Sequence, residues 1–194
     1  MPRSAEPASL AELKAIVGNG GWLDAPADIA PLLVDHRRLY KGSSPLVLLP
    51  RSPSEVSRIL SLCNEREIAV VPQGGNTSYC GAATPDESGT QIVLAMRRMN
   101  QVRSIDADNY SMVVEAGVTL SKAQNAAREA NRLFPLSLGS EGTAQIGGNL
   151  STNAGGTAVL RYGMMRDLVF GLEVVLADGR LISGLTSLRK DNTG

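Results

Sequence analysis

The segment Pro72-Gln73-Gly74-Gly75-Asn76-Thr77-Ser78 directly follows the apolar run Ile68–Val71. A second segment rich in glycine and small polar residues, Leu138–Asn149, includes the pair Gly147-Gly148. Because glycine has no side chain, peptide N–H groups in such segments can point directly at a phosphate, and nearby Ser and Thr hydroxyls can also donate. The two segments together predict a diphosphate-containing cofactor that is held between two lobes of the chain.

A glycine-rich segment after a strand can also be a simple turn, and 20 glycines in 194 residues is only slightly above average usage. The second segment is followed by Asn153-Ala154-Gly155-Gly156, which makes it too dense in glycine for one turn. The sequence has no Rossmann G-x-G-x-x-G turn with an acidic residue about twenty positions later. It also has no P-loop lysine, since Gly74-Gly75 is followed by Asn76-Thr77. ATP or GTP hydrolysis is therefore disfavoured.

Local patterns around the first segment predict a strand, a helix and a second strand. Leu46–Leu49 is a short apolar run, and Ser52-Pro53-Ser54-Glu55 combines a helix cap, a proline at the first helical position and an acid at the third. Apolar residues then share one helical face. They are Val56, Ile59, Leu60 and Cys63. Ile68–Val71 is the second strand, and it leads into the first glycine segment.

The remaining elements predict an α+β fold rather than a doubly wound parallel sheet. Ser9 and Glu12 form a capping-box pattern for an N-terminal helix, and residues 19–45 look like an irregular arm. Asp178-Gly179 predicts a hairpin with a two-residue type I′ turn. Further strands are expected over Gln91–Met96, Arg103–Ile105 and Ser111–Ala116, and a helix capped by Thr119 is expected over Leu120–Asn131.

Composition narrows the possible partners. Nineteen basic residues balance nineteen acidic ones, and one Trp, four Tyr and two Phe offer no stacking platform, so nucleic acid is not an expected partner. The N-terminus has no apolar stretch typical of a signal peptide, and no later stretch is long enough to span a membrane. We therefore expect a cytoplasmic protein. Cys63 and Cys80 lack metal or redox spacing, and His36 is the single histidine, so we predict neither a disulfide nor a metal site.

The segments Pro72–Ser78 and Ile146–Gly156 resemble the FAD-binding (PCMH-type) domain of the vanillyl-alcohol oxidase/p-cresol methylhydroxylase flavoproteins. The resemblance is strongest to the D-2-hydroxyacid dehydrogenase branch and extends through Asp178-Gly179 to the tail Leu188–Gly194. It implies two α+β lobes with the cofactor cleft between them. It also implies an N-terminal helix and arm over 1–44 and an FAD-binding domain over 45–194, with lobes over about 45–107 and 108–194.

In that family the first segment wraps the FAD pyrophosphate, and the second runs along the ribitol and pyrophosphate. Carried onto this chain, the resemblance implies FAD contacts from Pro72, Gly74, Gly75, Asn76, Thr77, Ser78 and Gly81. In the second segment it implies Gly139, Ser140, Gly142, Thr143, Gly147, Gly148, Asn149, Asn153 and Gly155. Ile182 is expected near the adenine, with a plain strand residue as the alternative.

The resemblance also implies an activity. Members of the branch oxidise a D-2-hydroxy acid to a 2-oxo acid by hydride transfer to flavin N5, and an unidentified electron acceptor reoxidises the flavin. Some relatives attach FAD through a histidine or cysteine, but Asn76 and Glu141-Gly142-Thr143 stand in those regions here, so we expect noncovalent FAD. The tail resembles a segment that continues into a substrate-binding domain, so we expect an inactive portion with no nameable catalytic base. The alternatives are a stand-alone flavin module, a subunit docking on a separate catalytic chain, or a sugar or alcohol oxidase.

Overall fold

The computed structural model describes residues 5–186 of the chain. Within that part the chain forms two compact units. The first unit runs through Arg98 and adds Val175–Leu181, and the second takes Met99–Val174 together with the residues from Ile182 onward. The helices are α1 (Pro7–Val17), α2 (Pro26–Ile29), α3 (Pro53–Glu65), α4 (Leu120–Glu129), α5 (Ile146–Ser151) and α6 (Val159–Tyr162). The strands are β1 (Trp22–Leu23), β2 (Val47–Leu48), β3 (Val70–Gln73), β4 (Ile92–Ala95), β5 (Val102–Asp106), β6 (Ser111–Val114), β7 (Glu173–Val175) and β8 (Leu181–Ser183).

A four-stranded sheet in the order β1-β2-β4-β3 organises the first unit. β2, β4 and β3 are parallel, with Val47 and Val71 both opposite Val93, and β1 is antiparallel to β2. All four residues of the central strand β4 are buried, as a strand covered on both faces requires. Because β1 lies within residues 19–45, the prediction of an irregular arm is wrong at Trp22–Leu23, where pairing with β2 provides order that local sequence does not indicate.

Helix α3 begins as the sequence predicts. The Ser52 hydroxyl accepts a hydrogen bond from the Glu55 backbone N–H at 3.2 Å, and Pro53 occupies the first helical turn. The Glu55 carboxylate accepts in turn from the Arg51 backbone N–H at 2.9 Å, so orphan donors at the helix start are satisfied from both sides. Val56, Ile59 and Cys63 are buried, which confirms the predicted apolar face.

The capping box predicted at Ser9 is wrong. Helix α1 begins two residues earlier, after Glu6, with Pro7 in its first turn, and Ser9 is a buried residue inside the helix. Proline is favoured at this position because its missing N–H would have had no helical partner. The helix ends at Gly18, as expected.

The second unit contains the antiparallel pair β5 and β6 and the helices α4 to α6. Thr119 caps α4 as predicted, since its hydroxyl accepts a hydrogen bond from the Lys122 backbone N–H at 3.3 Å. The core of this unit is formed by buried residues from the start of α4, from the segment after it and from α5. They are Val118, Leu120, Ala123, Leu136, Ile146 and Met165.

The hairpin β7–β8 is present, but its predicted turn type is wrong. Gly179 has φ +87°, whereas Asp178 is absent from the residues with positive φ, so the two-residue type I′ turn is excluded. The Gly179 N–H donates to the Leu176 carbonyl at 2.9 Å and the Leu176 N–H donates to the Arg180 carbonyl at 2.8 Å. These bonds define a longer loop, a turn followed by a glycine bulge.

The mixture of a largely parallel sheet, two antiparallel pairs and separate helices confirms an α+β fold. Across residues 5–186, none of the helices has the length and apolar character that crossing a bilayer demands.

Candidate functional site

The first glycine segment leaves the end of the edge strand β3. Pro72 lies inside this strand, where its missing N–H costs no ladder bond because it points away from β4. Beyond Gln73, the backbone N–H groups of residues 74–78 donate to no acceptor within residues 5–186. The loop therefore presents consecutive free donors, the arrangement with which backbone binds phosphate oxygens.

Gln73 anchors the start of this loop. Its side chain is 1% exposed, and its Nε2 donates to the Leu32 carbonyl at 2.8 Å and to the Ala83 carbonyl at 2.7 Å. Its Oε1 is buried without a partner among the described residues. Since two carbonyls face the other end of the amide, the orientation of the group is fixed by the network. Sequence reasoning placed Gln73 in the motif but assigned it no role.

Asn76 adopts a left-handed backbone conformation with φ +52°, which asparagine tolerates better than most residues. Its Nδ2 donates to the Val34 carbonyl at 2.7 Å. The side chain is thus occupied within the protein, and the backbone of the loop is what remains available to a ligand. Further along, a methyl group on Gly81 would lie 2.5 Å from the Tyr40 ring, so contact with that ring requires glycine there.

Asp35 stabilises the turn that precedes Tyr40. Its side chain is almost fully buried and accepts hydrogen bonds from the backbone N–H groups of Tyr40 at 2.7 Å and Arg37 at 3.0 Å. Burial alone raises the pKa of this carboxyl, but the backbone donors of Tyr40, Arg37 and Leu39, together with the charge of Arg37, outweigh burial and hold the pKa below its ordinary value.

The second glycine segment is a compact turn that leads into α5. The Thr143 and Ala144 N–H groups both donate to the Ser140 carbonyl, at 2.9 and 2.7 Å, and the Thr143 hydroxyl reaches the same oxygen at 3.4 Å. The Ile146 N–H then donates to the Val118 carbonyl at 2.9 Å. These bonds fix the turn against the start of α4.

Four backbone N–H groups of the second segment donate to no acceptor in the described part of the chain. They belong to Gly139, Ser140, Gly142 and Gly148. A methyl group added at any of the three glycines among them would meet no heavy atom within 4 Å. Nothing in the protein itself therefore requires glycine at these positions, whereas a ligand that approaches the backbone closely would.

Gly147 differs from its neighbour Gly148. A methyl group on Gly147 would lie 2.8 Å from the Ala116 Cβ and 3.0 Å from the Ala116 carbonyl oxygen. The Gly147 N–H also donates to that same oxygen at 2.8 Å. Gly147 is thus a packing position, and its amide is already used.

Asn149 and Asn153 also serve the internal structure of the second unit. Asn149 is 5% exposed, its N–H donates to the Gln145 carbonyl at 2.9 Å, and its buried Nδ2 has no partner among the described residues. Asn153 ends the helical region with φ +48°, and its Oδ1 accepts from the Arg166 N–H at 3.0 Å.

Gly155 and Ile182 show no comparable feature. A methyl group on Gly155 would lie 3.3 Å from Val159 Cγ2, a tight contact within the unit. Ile182 is a half-exposed residue of β8. The tail Leu188–Gly194, on which the resemblance also rests, lies outside the described residues.

The donor set of the two segments fits a diphosphate-containing cofactor. Each unit supplies a cluster of free backbone N–H groups, in the first unit residues 74–78 and in the second the four groups of Gly139–Gly148. Neutral backbone donors can stabilise phosphate charge without a lysine, and open space beside the glycines leaves room for the ligand.

A family model described as "FAD binding domain" matches residues 44–184. Among curated relatives, the chain is 47% identical to the mitochondrial D-2-hydroxyglutarate dehydrogenase of Bos taurus over 187 residues, which are 95% of this chain and 34% of that protein. It is 44% identical to a D-2-hydroxyglutarate–pyruvate transhydrogenase of Saccharomyces cerevisiae over 189 residues, 95% of this chain and 37% of that protein. The chain thus spans about a third of the length of the curated relatives it matches.

Among solved structures, an alkyldihydroxyacetonephosphate synthase superposes with a TM-score of 0.84 at 23% identity, covering 99% of this chain and 36% of that one. p-Cresol methylhydroxylase superposes with a TM-score of 0.74 at 22% identity, covering 100% of this chain and 39% of that one. At this identity the likeness concerns the fold, and it confirms the predicted PCMH-type architecture.

The prediction of a cytoplasmic protein is contradicted by these relatives, several of which are mitochondrial by name. The prediction depended on the lack of an apolar leader. That criterion detects secretory signals, whereas mitochondrial transit peptides are amphipathic and rich in Arg and Ser.

Proposed function

The chain belongs to the FAD binding domain family, and from that membership we propose that its two glycine segments bind noncovalent FAD mainly through backbone N–H groups. The free donors of residues 74–78, Gly139, Ser140, Gly142 and Gly148 are the contacts we propose. The other residues that the resemblance implies hold the two segments in shape. Their internal packing and hydrogen bonds support this second role. They are Pro72, Gly81, Thr143, Gly147, Asn149, Asn153 and Gly155.

Noncovalent attachment is supported by the residues themselves. Asn76, in the loop where some relatives carry a histidine, has no nucleophilic atom, and its amide is bound to the Val34 carbonyl. The second segment, Leu138–Asn149, contains neither histidine nor cysteine. Acid precipitation of the FAD-loaded protein should release all the yellow colour into the supernatant, and colour in the pellet would contradict this part.

We further propose that the chain is the FAD-binding portion of an enzyme that oxidises a D-2-hydroxy acid. The observation that carries this is the identity of 40–47% to proteins named as D-2-hydroxyglutarate or D-lactate dehydrogenases over 83–95% of the chain. When bound, FAD supplies a two-electron acceptor, so that hydride leaves C2 of the substrate for flavin N5 and a 2-oxo acid forms. The protein's contribution in this part is to bind and orient the diphosphate.

Two measurements test the proposal. An equilibrium titration of the chain with FAD, followed by flavin fluorescence, should saturate, and a titration without saturation would count against the site. For the substrate, the polypeptide expressed from the complete reading frame should lose its flavin absorbance under anaerobic conditions with D-2-hydroxyglutarate or D-lactate. The L enantiomers are the matched controls. Bleaching by neither D acid would overturn the assignment, and the product electron acceptor can be sought only after bleaching is seen.

A further inference from the structure

Residues 30–42, which we call the arm, lie outside the matched FAD-binding region of residues 44–184, yet they contact the first glycine segment. The Gln73 Nε2 donates to the Leu32 carbonyl at 2.8 Å, and the Asn76 Nδ2 donates to the Val34 carbonyl at 2.7 Å. Both acceptors are backbone atoms of the arm. The two bonds fall on either side of Gly74-Gly75.

The arm is itself firmly held, so it can serve as an anchor. Val34 and Lys41 pair in an isolated antiparallel bridge, and the Gly42 N–H donates to the Leu33 carbonyl at 2.8 Å. Leu33 packs into the same buried cluster as β2 and β4, and Asp35 closes the turn between the two sides of the arm. A loop tied to this arm is therefore tied to the core of the first unit.

The second bond of Gln73 closes the loop at its other end. The same Nε2 donates to the Ala83 carbonyl at 2.7 Å, so one buried amide joins the arm, the start of the loop and the chain that leaves it. Consecutive glycines have the largest conformational freedom to lose, and residues 74–78 make no backbone hydrogen bonds of their own to stay in place. Without side-chain ties this stretch would be mobile.

We propose that Gln73 and Asn76 are positioning residues that fasten the glycine loop to the arm, so that the free N–H groups of residues 74–78 are ordered before any ligand arrives. The proposal rests on the proposed function, since order in these groups matters for ligand binding only if they contact FAD. Neither side chain needs to touch the cofactor. Preorganisation of the donors removes an ordering cost that would otherwise weaken binding.

The variant Asn76→Gly isolates the tie. Glycine accepts φ +52° without strain, so the substitution removes the bond to Val34 while leaving the backbone conformation accessible. Asn131→Gly is the matched control, because Asn131 has φ +57° and its side chain donates no hydrogen bond in the described part of the chain. Gln73→Met is a second test with nearly the same side-chain volume and no donor.

The primary measurement is ¹⁵N relaxation of the backbone amides in the FAD-free chain. In the wild-type protein and in Asn131→Gly, residues 74–78 should have order parameters of about 0.85, the level of rigid backbone. In Asn76→Gly they should fall below about 0.6, the level of flexible segments. Unchanged order parameters in Asn76→Gly would overturn the proposal whatever FAD does. Gln73→Met should loosen the same residues, and Asn76→Gly decides the question if that variant fails to fold.

FAD titrations of the same variants separate this proposal from the proposed function. Asn76→Gly should bind FAD about tenfold more weakly than Asn131→Gly. Loss of order with unchanged affinity would overturn the positioning role and count against the loop as an FAD contact. If wild-type protein binds no FAD, the proposed function fails in this chain, and the relaxation data still decide whether the ties order the loop.

Discussion

Gly147 and Gly148 are adjacent in the sequence, but we expect alanine to have opposite effects at the two positions. Gly148 lies in α5 without a positive φ, and a methyl group there would meet no heavy atom within 4 Å. Replacing a helical glycine by alanine stabilises a protein by up to about 1 kcal/mol, because alanine loses less backbone entropy on folding. Gly148→Ala should therefore raise the stability of the FAD-free chain by roughly 0.5–1 kcal/mol.

The same methyl group should weaken FAD binding. If the Gly148 N–H approaches the diphosphate, a methyl group beside it keeps the phosphate oxygens at a distance. We expect a loss of at least about 1.4 kcal/mol of binding free energy, which is a tenfold increase in Kd. Flavin-fluorescence titration measures the affinity, and urea unfolding of FAD-free protein measures the stability.

Gly147→Ala is the internal comparison for this prediction. Its methyl group would stand 2.8 Å from the Ala116 Cβ, so neighbouring atoms must shift, and overpacking of this kind costs about 1–3 kcal/mol. The reasoning would be refuted if Gly148→Ala destabilised the FAD-free chain, or if it bound FAD as tightly as the wild-type protein. In the first case the space beside Gly148 is not open, and in the second FAD does not approach it.

Three further outcomes are expected from individual side chains. Burial raises the pKa of the Cys63 thiol to about 12, so a thiol reagent at pH 8 should modify the exposed Cys80 at once and Cys63 only after denaturation; rapid modification of both would contradict the buried placement. Asp35→Asn should destabilise the protein above the ordinary carboxyl pKa of 3.8, because the folded-state pKa is lowered and the ionised form is the stabilising one; the difference in unfolding free energy should vanish as the pH falls through the folded-state value, and a difference that persists there would count against the hydrogen-bonded carboxylate. Ser52→Ala should cost about 1 kcal/mol of unfolding free energy in urea and Ser52→Asp close to nothing, since the cap needs only an oxygen that accepts from Glu55; equal losses would show that the cap is not what stabilises α3.

The parts of the fold that local sequence predicts are those in which a few neighbouring residues supply the whole interaction. Ser52 and Thr119 cap helices through acceptors three residues away, and both are found where the sequence places them. The Asp178-Gly179 pair correctly marks a hairpin. Its turn type is wrong because the loop length depends on which strand residues pair, as the bond between Leu176 and Arg180 shows, and that pairing is not coded in the two turn residues.

Strand β1 escaped prediction for a similar reason. Trp22-Leu23 is too short to show a period, and it becomes a strand only because it pairs with Val47–Leu48, more than twenty residues away. Tertiary pairing therefore decides its structure. The irregular-looking stretch around it still contains the proline-initiated α2, which a turn-based interpretation of Pro26 conceals.

The candidate site shows the same division between what residue letters reveal and what they conceal. Glycine-rich segments identify where a phosphate could be bound, because close approach of backbone demands that residue type. They do not distinguish Gly148, beside open space, from Gly147, which packs on Ala116. Nor could the arm be recognised, since its contributions at Leu32 and Val34 come from carbonyl oxygens that every residue possesses. A backbone acceptor leaves no trace in the residue that carries it. The trace lies in the donor instead, and here the amides of Gln73 and Asn76 on either side of two glycines are that trace, which gains meaning only when the fold brings the arm beside them.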